Sequence, residues 1–303
     1  MISFTKLGNY GRLGNQLFQY AFLRTQAKRL STQFFCPEWI GDKIFYLSDE
    51  KERTNECNTN FVYNEKGDGF HVDVNTIKNG TEIAGFFQSD KYFSNKDVQH
   101  WFLFREEICS NIDKKYNTVD FSNSTAIHIR LGDYAIPQLT FYTPRSFYFK
   151  NALKLLDHKN TILVFSDDPK GAKEYFKETP GNFIFIEGNK DYEDLYLMSK
   201  CRNVICSPSS FSWWAAYLDK YEDKKIIVPE YWFLPWGKAV NNDIFVNGWI
   251  KVRAHSWYDY YHIKFIPNKI NICYRRIIKI FYILKEGGLK SFFKELKKFF
   301  SSI

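Results

Sequence analysis

The feature that most constrains the fold is a series of short apolar runs in the second half of the chain. Each run has four to six residues, and segments with helical periodicity separate them. Continuous apolar strands between helices are typical of a parallel sheet covered on both faces. The second half therefore predicts a doubly wound α/β domain, in which ligands bind at the carboxyl ends of the strands. The predicted strands are 125–130, 161–165, 183–186, 203–206 and 225–228.

The beginning of the chain predicts a β-loop-α unit. A strand over 2–7 is followed by a loop with Gly8, Gly11 and Gly14, and then by a helix over about 15–30. With 303 residues, of which 45% are hydrophobic, the chain can form two cores side by side. We expect an N-terminal lobe over 1–122, a ligand-binding Rossmann-like lobe over 123–263, and a tail over 264–303.

The net charge of +8 is concentrated in that tail. Residues 264–303 contain ten Lys and Arg against two Glu, which leaves 32 basic and 32 acidic residues in the rest of the chain. An evenly charged body argues against a nucleic-acid groove through the protein, because such a groove needs grouped basic residues.

The end of the tail predicts an amphipathic helix. Apolar residues recur there at three- and four-residue spacing and alternate with lysines. We expect this helix to lie on an anionic membrane surface, although an amphipathic helix can also pack on the protein's own body. The apolar stripe consists of Leu289, Phe292, Phe293, Leu296, Phe299 and Phe300.

The spacing of the cysteines and the N-terminal sequence indicate the cellular compartment of the protein. The six cysteines form neither a dense disulfide framework nor a C-x-x-C pair, so we expect reduced thiols and no zinc site. The chain shows no signal-peptide pattern and no run of 18 uncharged apolar residues. The expected location is cytoplasmic, peripheral on the inner face of the membrane.

The first candidate functional segment is Gly11-Arg-Leu-Gly-Asn-Gln-Leu-Phe-Gln-Tyr-Ala. Its glycines allow close approach of the backbone to a ligand, and the helix that follows offers unpaired N–H groups. The spacing matches neither a P-loop nor a dinucleotide-binding fingerprint. A plain strand-to-helix turn with Asn15 as the N-cap would explain the same residues.

The second segment is His128-Ile-Arg-Leu-Gly-Asp-Tyr, at the end of the first predicted strand of the second lobe. The alternation of a strand places the side chains of His128 and Arg130 on one face, near the carboxyl edge of the sheet. A guanidinium at this edge can bind a diphosphate through two parallel hydrogen bonds. The alternative is a structural ion pair between Arg130 and Asp133.

The third segment runs from Asp194 to Ala216 and predicts helix, strand, turn and helix. Ser209 and Ser210 fall at the start of the last helix, where hydroxyls and free N–H groups can bind an anion, although both could also be N-caps. Trp213 and Trp214 are expected in the core.

A fourth segment, Phe165-Ser-Asp-Asp-Pro, offers a pair of carboxylates. We favour a structural interpretation, because Asp168 before Pro169 is the usual start of a helix. The chain has no Asp-x-Asp triplet that could hold a divalent metal between two phosphates. Phosphate charge would then be balanced by Arg130, backbone N–H groups and hydroxyls, without a metal.

Taken in this order, the four segments resemble the motifs of glycosyltransferase family 11, the alpha-1,2-fucosyltransferases, over about residues 1–250. The resemblance implies a GT-B-like fold of two Rossmann-like lobes with the donor site in the C-terminal lobe. It also implies inverting, metal-independent transfer of fucose from GDP-fucose to a glycan, with the 2-hydroxyl of galactose as the expected acceptor.

The resemblance also implies roles for individual residues. Arg130 resembles the arginine that binds the β-phosphate of the donor, and His128 lies beside the nucleotide. Ser210 and Phe211 resemble the positions whose hydroxyl and N–H contact the same phosphate. Asp194 resembles an acidic residue near guanine or ribose.

Three further positions bear on catalysis. Asn15 resembles an asparagine that faces the active site of related enzymes, whereas Leu131 stands where family members often have a second arginine. Asp133 is a candidate general base, although orientation of the acceptor and stabilisation of the leaving group can suffice.

Two other functions fit parts of the sequence. One is a transferase of the same fold that uses another GDP-sugar or a protein acceptor. The other is a non-catalytic module that binds a membrane surface or nucleic acid through its tail. The presence of Arg130 and of the turn at Ser209, Ser210 and Phe211 argues against the second.

Overall fold

The structure is a computed structural model that describes residues 1–67, 69–131, 144, 146–157, 160–233 and 243–254. Asp133 and the predicted tail over 264–303 lie outside these ranges. None of the helices within them combines the length and apolar character needed to cross a bilayer.

The N-terminal half forms a parallel four-stranded sheet with strand order β2-β1-β4-β3. Its strands are β1 (Ile2–Ser3), β2 (Phe34–Phe35), β3 (Phe61–Asn64) and β4 (Thr81–Ala84). Its helices are α1 (Leu13–Arg29), α2 (Gly41–Ile44), α3 (Asn95–Trp101) and α4 (Glu106–Lys115).

The C-terminal half forms the doubly wound domain that the apolar runs predict. Its strands are β5 (Ser124–Ile129), β6 (Thr161–Ser166), β7 (Phe183–Ile186), β8 (Asn203–Ile205), β9 (Lys225–Pro229) and β10 (Ile250–Val252). Its helices are α5 (Ser146–Leu153), α6 (Pro169–Phe176), α7 (Asp191–Lys200) and α8 (Ser210–Leu218). The five predicted strands agree with the observed ones to within one residue at each end.

All neighbouring strands of this second sheet are parallel, in the order β10-β9-β8-β5-β6-β7. Numbered from β5, this is the doubly wound order 6-5-4-1-2-3, which reverses direction between β5 and β8. The crevice outside the carboxyl ends of β5 and β8 is therefore the expected ligand site.

The two sheets share one hydrophobic core through helices α1 and α8. Phe18 of α1 packs on Trp213 and Trp214 of α8, with ring centroids 4.5 and 4.9 Å apart. Both tryptophans are fully buried, as predicted. A large apolar contact of this kind restricts relative motion of the two halves.

The start of α1 differs from the prediction. The helix begins at Leu13 with Arg12 at the N-cap position, so Asn15 lies in the first turn and the N-cap interpretation of Asn15 is wrong. The side chain of Asn15 is instead bonded to residues from distant parts of the chain. The first strand is also shorter than predicted and ends at Ser3.

Candidate active site

A cavity of about 660 Å³ lies between the two halves. Its lining includes all the predicted site residues that fall within the described ranges: Asn15, His128, Arg130, Asp194, Ser209, Ser210 and Phe211. Arg12, Phe86 and Gln88 line it from the N-terminal half, and Asp167 and Asn189 from the C-terminal half. Its volume is within the usual range for a small-molecule site.

Arg130 follows β5 at the point where the strand order reverses. Its Nη1 lies 2.7 Å from Asp167 Oδ2, at the end of the neighbouring strand β6. Asp167 Oδ1 accepts a 2.8 Å hydrogen bond from the N–H of Leu131, so one carboxylate holds both the guanidinium and the backbone next to it. Arg130 is thereby oriented within the cavity, with its side chain only 14% exposed.

His128, the other polar residue of this strand, is almost completely buried at the cavity. Burial lowers the pKa of His128 to about 4; the nearby Asp167 opposes the shift and Arg130 adds to it. The imidazole is therefore neutral at physiological pH. Among the described residues, its Nδ1 has no hydrogen-bond partner. A buried polar atom without a partner at the wall of a cavity is a natural contact for a ligand.

Asp194 is in the first turn of α7 and also lines the cavity. Burial raises the pKa of Asp194 to about 6, and the hydrogen bond from Asn189 partly opposes this shift. Asn189 Nδ2 donates to Asp194 Oδ1 at 2.9 Å, and Tyr116 Oη donates to Asn189 Oδ1 at 3.1 Å. The hydrogen bond from Asn189 thus fixes the orientation of the Asp194 carboxyl group. This group loses its negative charge as the pH falls through about 6.

Helix α8 begins at the cavity with Ser209 as its N-cap. Ser209 Oγ accepts a long 3.3 Å bond from the N–H of Phe211, which confirms the N-cap interpretation of Ser209. Ser207, two residues earlier, joins β8 to β5: its hydroxyl donates to His128 O at 2.7 Å and accepts from Arg130 N at 3.2 Å. The start of α8 and the end of β5 are therefore held together.

Asn15 connects the two halves across the cavity. Its Oδ1 accepts 2.8 Å hydrogen bonds from Gln88 Nε2 and from Ser210 Oγ. The proton of the Ser210 hydroxyl is therefore directed to Asn15 in this structure. At the start of α8 the backbone N–H groups, rather than this hydroxyl, are therefore the groups suited to an anion.

Gly14 allows the first turns of α1 and α8 to meet. A Cβ atom added at Gly14 would lie 2.6 Å from both Phe211 N and Ser210 C, which are backbone atoms. No side chain fits at this distance unless one helix moves. The glycine at position 14 is therefore explained by the close contact between α1 and α8.

Two glutamines of the same segment hold its loops in place. Gln16 Nε2 donates to Gly8 O at 3.2 Å and Gly11 O at 2.9 Å, which closes the turn before α1. Gln19 Nε2 donates to Tyr10 O and Gly85 O, so it joins this turn to the loop after β4. Both glutamines are buried.

Several of these residues have only a weak signal in the sequence. Asp168 is the N-cap of α6 with Pro169 at its first position, as expected, but Asp167 beside it belongs to the cavity. The adjacent aspartates at the end of a predicted strand were the only signal for this role. Only the hydrogen bonds in the structure indicate that Ser207, Gln88 and Asn189 belong to the site.

No group of three His, Cys, Asp or Glu side chains within the described ranges is arranged as a metal-ligand set.

Comparison with known proteins supports the resemblance that the motifs suggest. The family model "Glycosyl transferase family 11" matches residues 4–253. The chain is 31% identical over 191 residues to the O-antigen biosynthesis glycosyltransferase WbnK and 33% identical over 172 residues to an alpha-1,2-colitosyltransferase, both from Escherichia coli. These matches cover 58% and 52% of this chain, and 62% and 58% of the relatives, so the chain spans about three fifths of their length.

A more distant relative is galactoside alpha-(1,2)-fucosyltransferase 1 from Ateles belzebuth, 21% identical over 280 residues, which cover 77% of this chain and 74% of that protein.

Solved structures show the same fold at low identity. The apo form of POFUT1 superposes with a TM-score of 0.52 at 12% identity, covering 75% of this chain and 97% of that one. POFUT1 in complex with GDP gives a TM-score of 0.50 over the same shares of the two chains, also at 12% identity. The predicted GT-B-like α/β fold with two parallel sheets is thereby confirmed. With a family model that covers residues 4–253, the chain belongs to glycosyl transferase family 11.

Proposed function

We propose that this protein transfers fucose from GDP-fucose to a hydroxyl group of a galactose-containing glycan, forming an alpha-1,2 linkage. The observation that most favours this function is the position of Arg130. It stands at the point where the strand order reverses, oriented by Asp167 and beside the start of α8. The names of the relatives, which include two alpha-1,2-transferases, support the linkage.

The C-terminal half would bind the donor. The Arg130 guanidinium and the N–H groups at the start of α8 are suited to a diphosphate, because both line the cavity and both carry positive charge. Asp194 can accept hydrogen bonds from guanine or ribose. The neutral imidazole of His128, with its unpaired Nδ1, can bond to the nucleotide as well.

The reaction would be a single displacement with inversion at the anomeric carbon. The acceptor oxygen forms a bond to this carbon while the bond to the β-phosphate oxygen breaks, and the electron pair leaves with GDP. Negative charge therefore grows on the phosphate in the transition state, where Arg130 stabilises it. The acceptor proton passes to a base or to water; the candidate base Asp133 lies outside the described residues.

Asn15 would position groups at the reacting centre. Its amide oxygen is already bonded to Gln88 and Ser210, so the amide group is held in one orientation. Preorganised polar groups of this kind contribute to catalysis because they need no rearrangement during the reaction.

The protonation of Asp194 should make donor binding depend on pH. Only the carboxylate can accept two hydrogen bonds from the guanine edge, and burial raises the pKa of Asp194 to about 6. Binding to these donors favours the ionised form, so affinity is lost as the pH falls through this value. We expect GDP-fucose, whose phosphates do not titrate in this range, to bind about tenfold more weakly at pH 5 than at pH 7, as measured by calorimetry without acceptor.

The variant Asp194→Asn is the control for this prediction. It should bind GDP-fucose more weakly at pH 7 and show a nearly flat pH profile between pH 5 and 7. His128 has a pKa of about 4 and therefore adds little in this range. An unchanged pH profile in the variant would assign the dependence to another group.

Activity should persist in excess EDTA. The sequence has no Asp-x-Asp triplet to bridge a metal to the diphosphate, and Arg130 and the start of α8 supply positive charge instead. Release of GDP from GDP-fucose in the presence of acceptor should therefore continue after chelation. Complete loss of transfer, with recovery on addition of Mn²⁺ or Mg²⁺, contradicts this expectation.

The function itself is tested with GDP-fucose and an array of galactose-terminated glycans, with products identified by mass spectrometry. The expected product is a glycan heavier by one fucose, linked to the 2-hydroxyl of galactose. Absence of both transfer and GDP release over the whole array would contradict the proposal.

A second candidate is transfer of another sugar from its GDP-linked donor. The 33% identity to an alpha-1,2-colitosyltransferase favours it. A panel of GDP-sugars in the same assay distinguishes the two candidates by the relative kcat/KM of each donor.

A further inference from the structure

Two aromatic side chains stack on each other at the edge of the cavity. The rings of Tyr10 and Phe86 have centroids 4.6 Å apart and planes within 15° of parallel. Phe86 lines the cavity, and residue Tyr10 is 38% exposed. Both residues belong to the N-terminal half, Tyr10 in the turn before α1 and Phe86 in the loop after β4.

The two loops that hold these rings are fixed by buried side chains. Gln19, which is fully buried, donates to Tyr10 O at 2.9 Å and to Gly85 O at 3.2 Å, so a single amide sets the distance between the loops. Glu65 accepts from Phe86 N at 2.6 Å and from Phe87 N at 3.0 Å. The stacked pair is thus a preorganised surface rather than a chance contact between mobile loops.

An exposed aromatic face beside a polar cavity is suited to a sugar ring. A pyranose has an apolar face of C–H groups that can pack on an aromatic ring, while its hydroxyls bond to polar groups nearby. Such groups are present, since Asn15, Gln88 and Arg12 line the same cavity as Phe86. Solvent exposure of Tyr10 indicates that its ring is not needed to complete the core.

We propose that Tyr10 and Phe86 form the platform on which a pyranose ring of the acceptor glycan stacks. This inference rests on the proposed function and names the acceptor side of the same site. The groups suited to the donor, Arg130, Asp194 and the start of α8, all belong to the C-terminal half. The acceptor therefore approaches from the N-terminal half, where the stacked rings lie next to the cavity.

The experiment measures galactoside binding by saturation-transfer NMR on the full chain with saturating GDP. The probes are lactose and methyl β-D-galactopyranoside, and the aromatic protons of the protein are irradiated. GDP affinity is measured separately by calorimetry for every variant. Circular dichroism and thermal unfolding confirm the fold of each.

The variants are Tyr10→Ala, Phe86→Ala and the conservative Tyr10→Phe. The matched control is Tyr46→Ala, because Tyr46 is a tyrosine of the same half with a similar exposure of 43% and does not line the cavity. We expect Tyr10→Ala and Phe86→Ala to weaken galactoside binding about tenfold, the upper range for loss of one aromatic contact. Tyr10→Phe and Tyr46→Ala should bind like the wild type.

GDP affinity should be unchanged in all four variants. Equal loss of GDP and galactoside binding in Tyr10→Ala would overturn the proposal, because it would indicate a structural role or stacking on guanine. Unchanged galactoside binding in both alanine variants, or no saturation transfer to either probe from the wild type, would also overturn it. Failure of the wild type to bind GDP would contradict the proposed function instead.

Discussion

Replacement of Arg130 by alanine should lower turnover by roughly two to three orders of magnitude, the usual effect of removing one preorganised donor that stabilises developing charge, about 3 to 4 kcal/mol. The guanidinium lies at the carboxyl end of β5 and is oriented by Asp167 at 2.7 Å. Because the phosphate gains charge in the transition state, kcat should fall more than the KM for GDP-fucose rises.

Two further variants test whether the loss of activity is specific to the Arg130 guanidinium. Arg130→Lys should restore little activity, because an ammonium cannot reproduce the two parallel hydrogen bonds of a guanidinium. The matched control is Arg202→Ala, since Arg202 belongs to the same half but precedes β8 and pairs with Asp223 away from the cavity. It should keep wild-type activity. If Arg130→Ala keeps more than half of the wild-type activity with an intact fold by circular dichroism, Arg130 does not have this role.

Replacement of Gly14 by alanine should lower kcat/KM about a hundredfold, because a displacement of about 1 Å at a catalytic group has an effect of this size. The added methyl group would lie 2.6 Å from backbone atoms of Ser210 and Phe211, which no rotamer change can relieve. Helix α8 must therefore shift at the end that meets the cavity. The bonds of Asn15 to Ser210 and Gln88 would be strained by the same movement.

Two opposing contributions to the free energy of unfolding determine the effect of Gly14→Ala on stability. Alanine favours a helix over glycine by about 1 kcal/mol, whereas overpacking costs about 1 to 3 kcal/mol. We therefore expect a modest decrease in Tm together with the large loss of activity. Ser210→Ala, which removes only the hydroxyl and leaves the helix backbone in place, should be milder. A Gly14→Ala protein with a raised Tm and full activity would show that the two helices can separate freely.

The sequence predicted the C-terminal half well because its signals are local. Five of its six strands coincide with apolar runs in the sequence, and such a run indicates a strand buried on both faces. The sixth, β10, has the sequence Ile-Lys-Val and was not predicted. The start of α6 was equally clear, since Asp168 and Pro169 are both local helix-start residues and the structure has them at the N-cap and first helical positions. The strand pattern also predicted that His128 and Arg130 lie near the carboxyl edge of the sheet, and both residues line the cavity there.

The N-terminal half gave fewer signals because its strands contain only two to four residues. So short a run shows little alternation, and its position depends on the strands beside it. The N-cap assignment of Asn15 was wrong for a related reason: its Oδ1 bonds to Gln88 and Ser210, which are 73 and 195 residues away. The preference of asparagine for the N-cap position reflects only its neighbours in the sequence, so it cannot account for partners this far along the chain.

Motifs and apolar runs in the sequence were sufficient for the family, for the fold class of the C-terminal half and for seven of the residues that line the cavity. Three contacts became known only from the packed structure: the ion pair of Arg130 with Asp167, the contact of α1 with α8 at Gly14, and the stacked pair of Tyr10 and Phe86. Each of these contacts joins segments that follow different strands and are far apart in the sequence. Strand order sets which loops meet, and strand order is a property of the packed sheets rather than of any single segment.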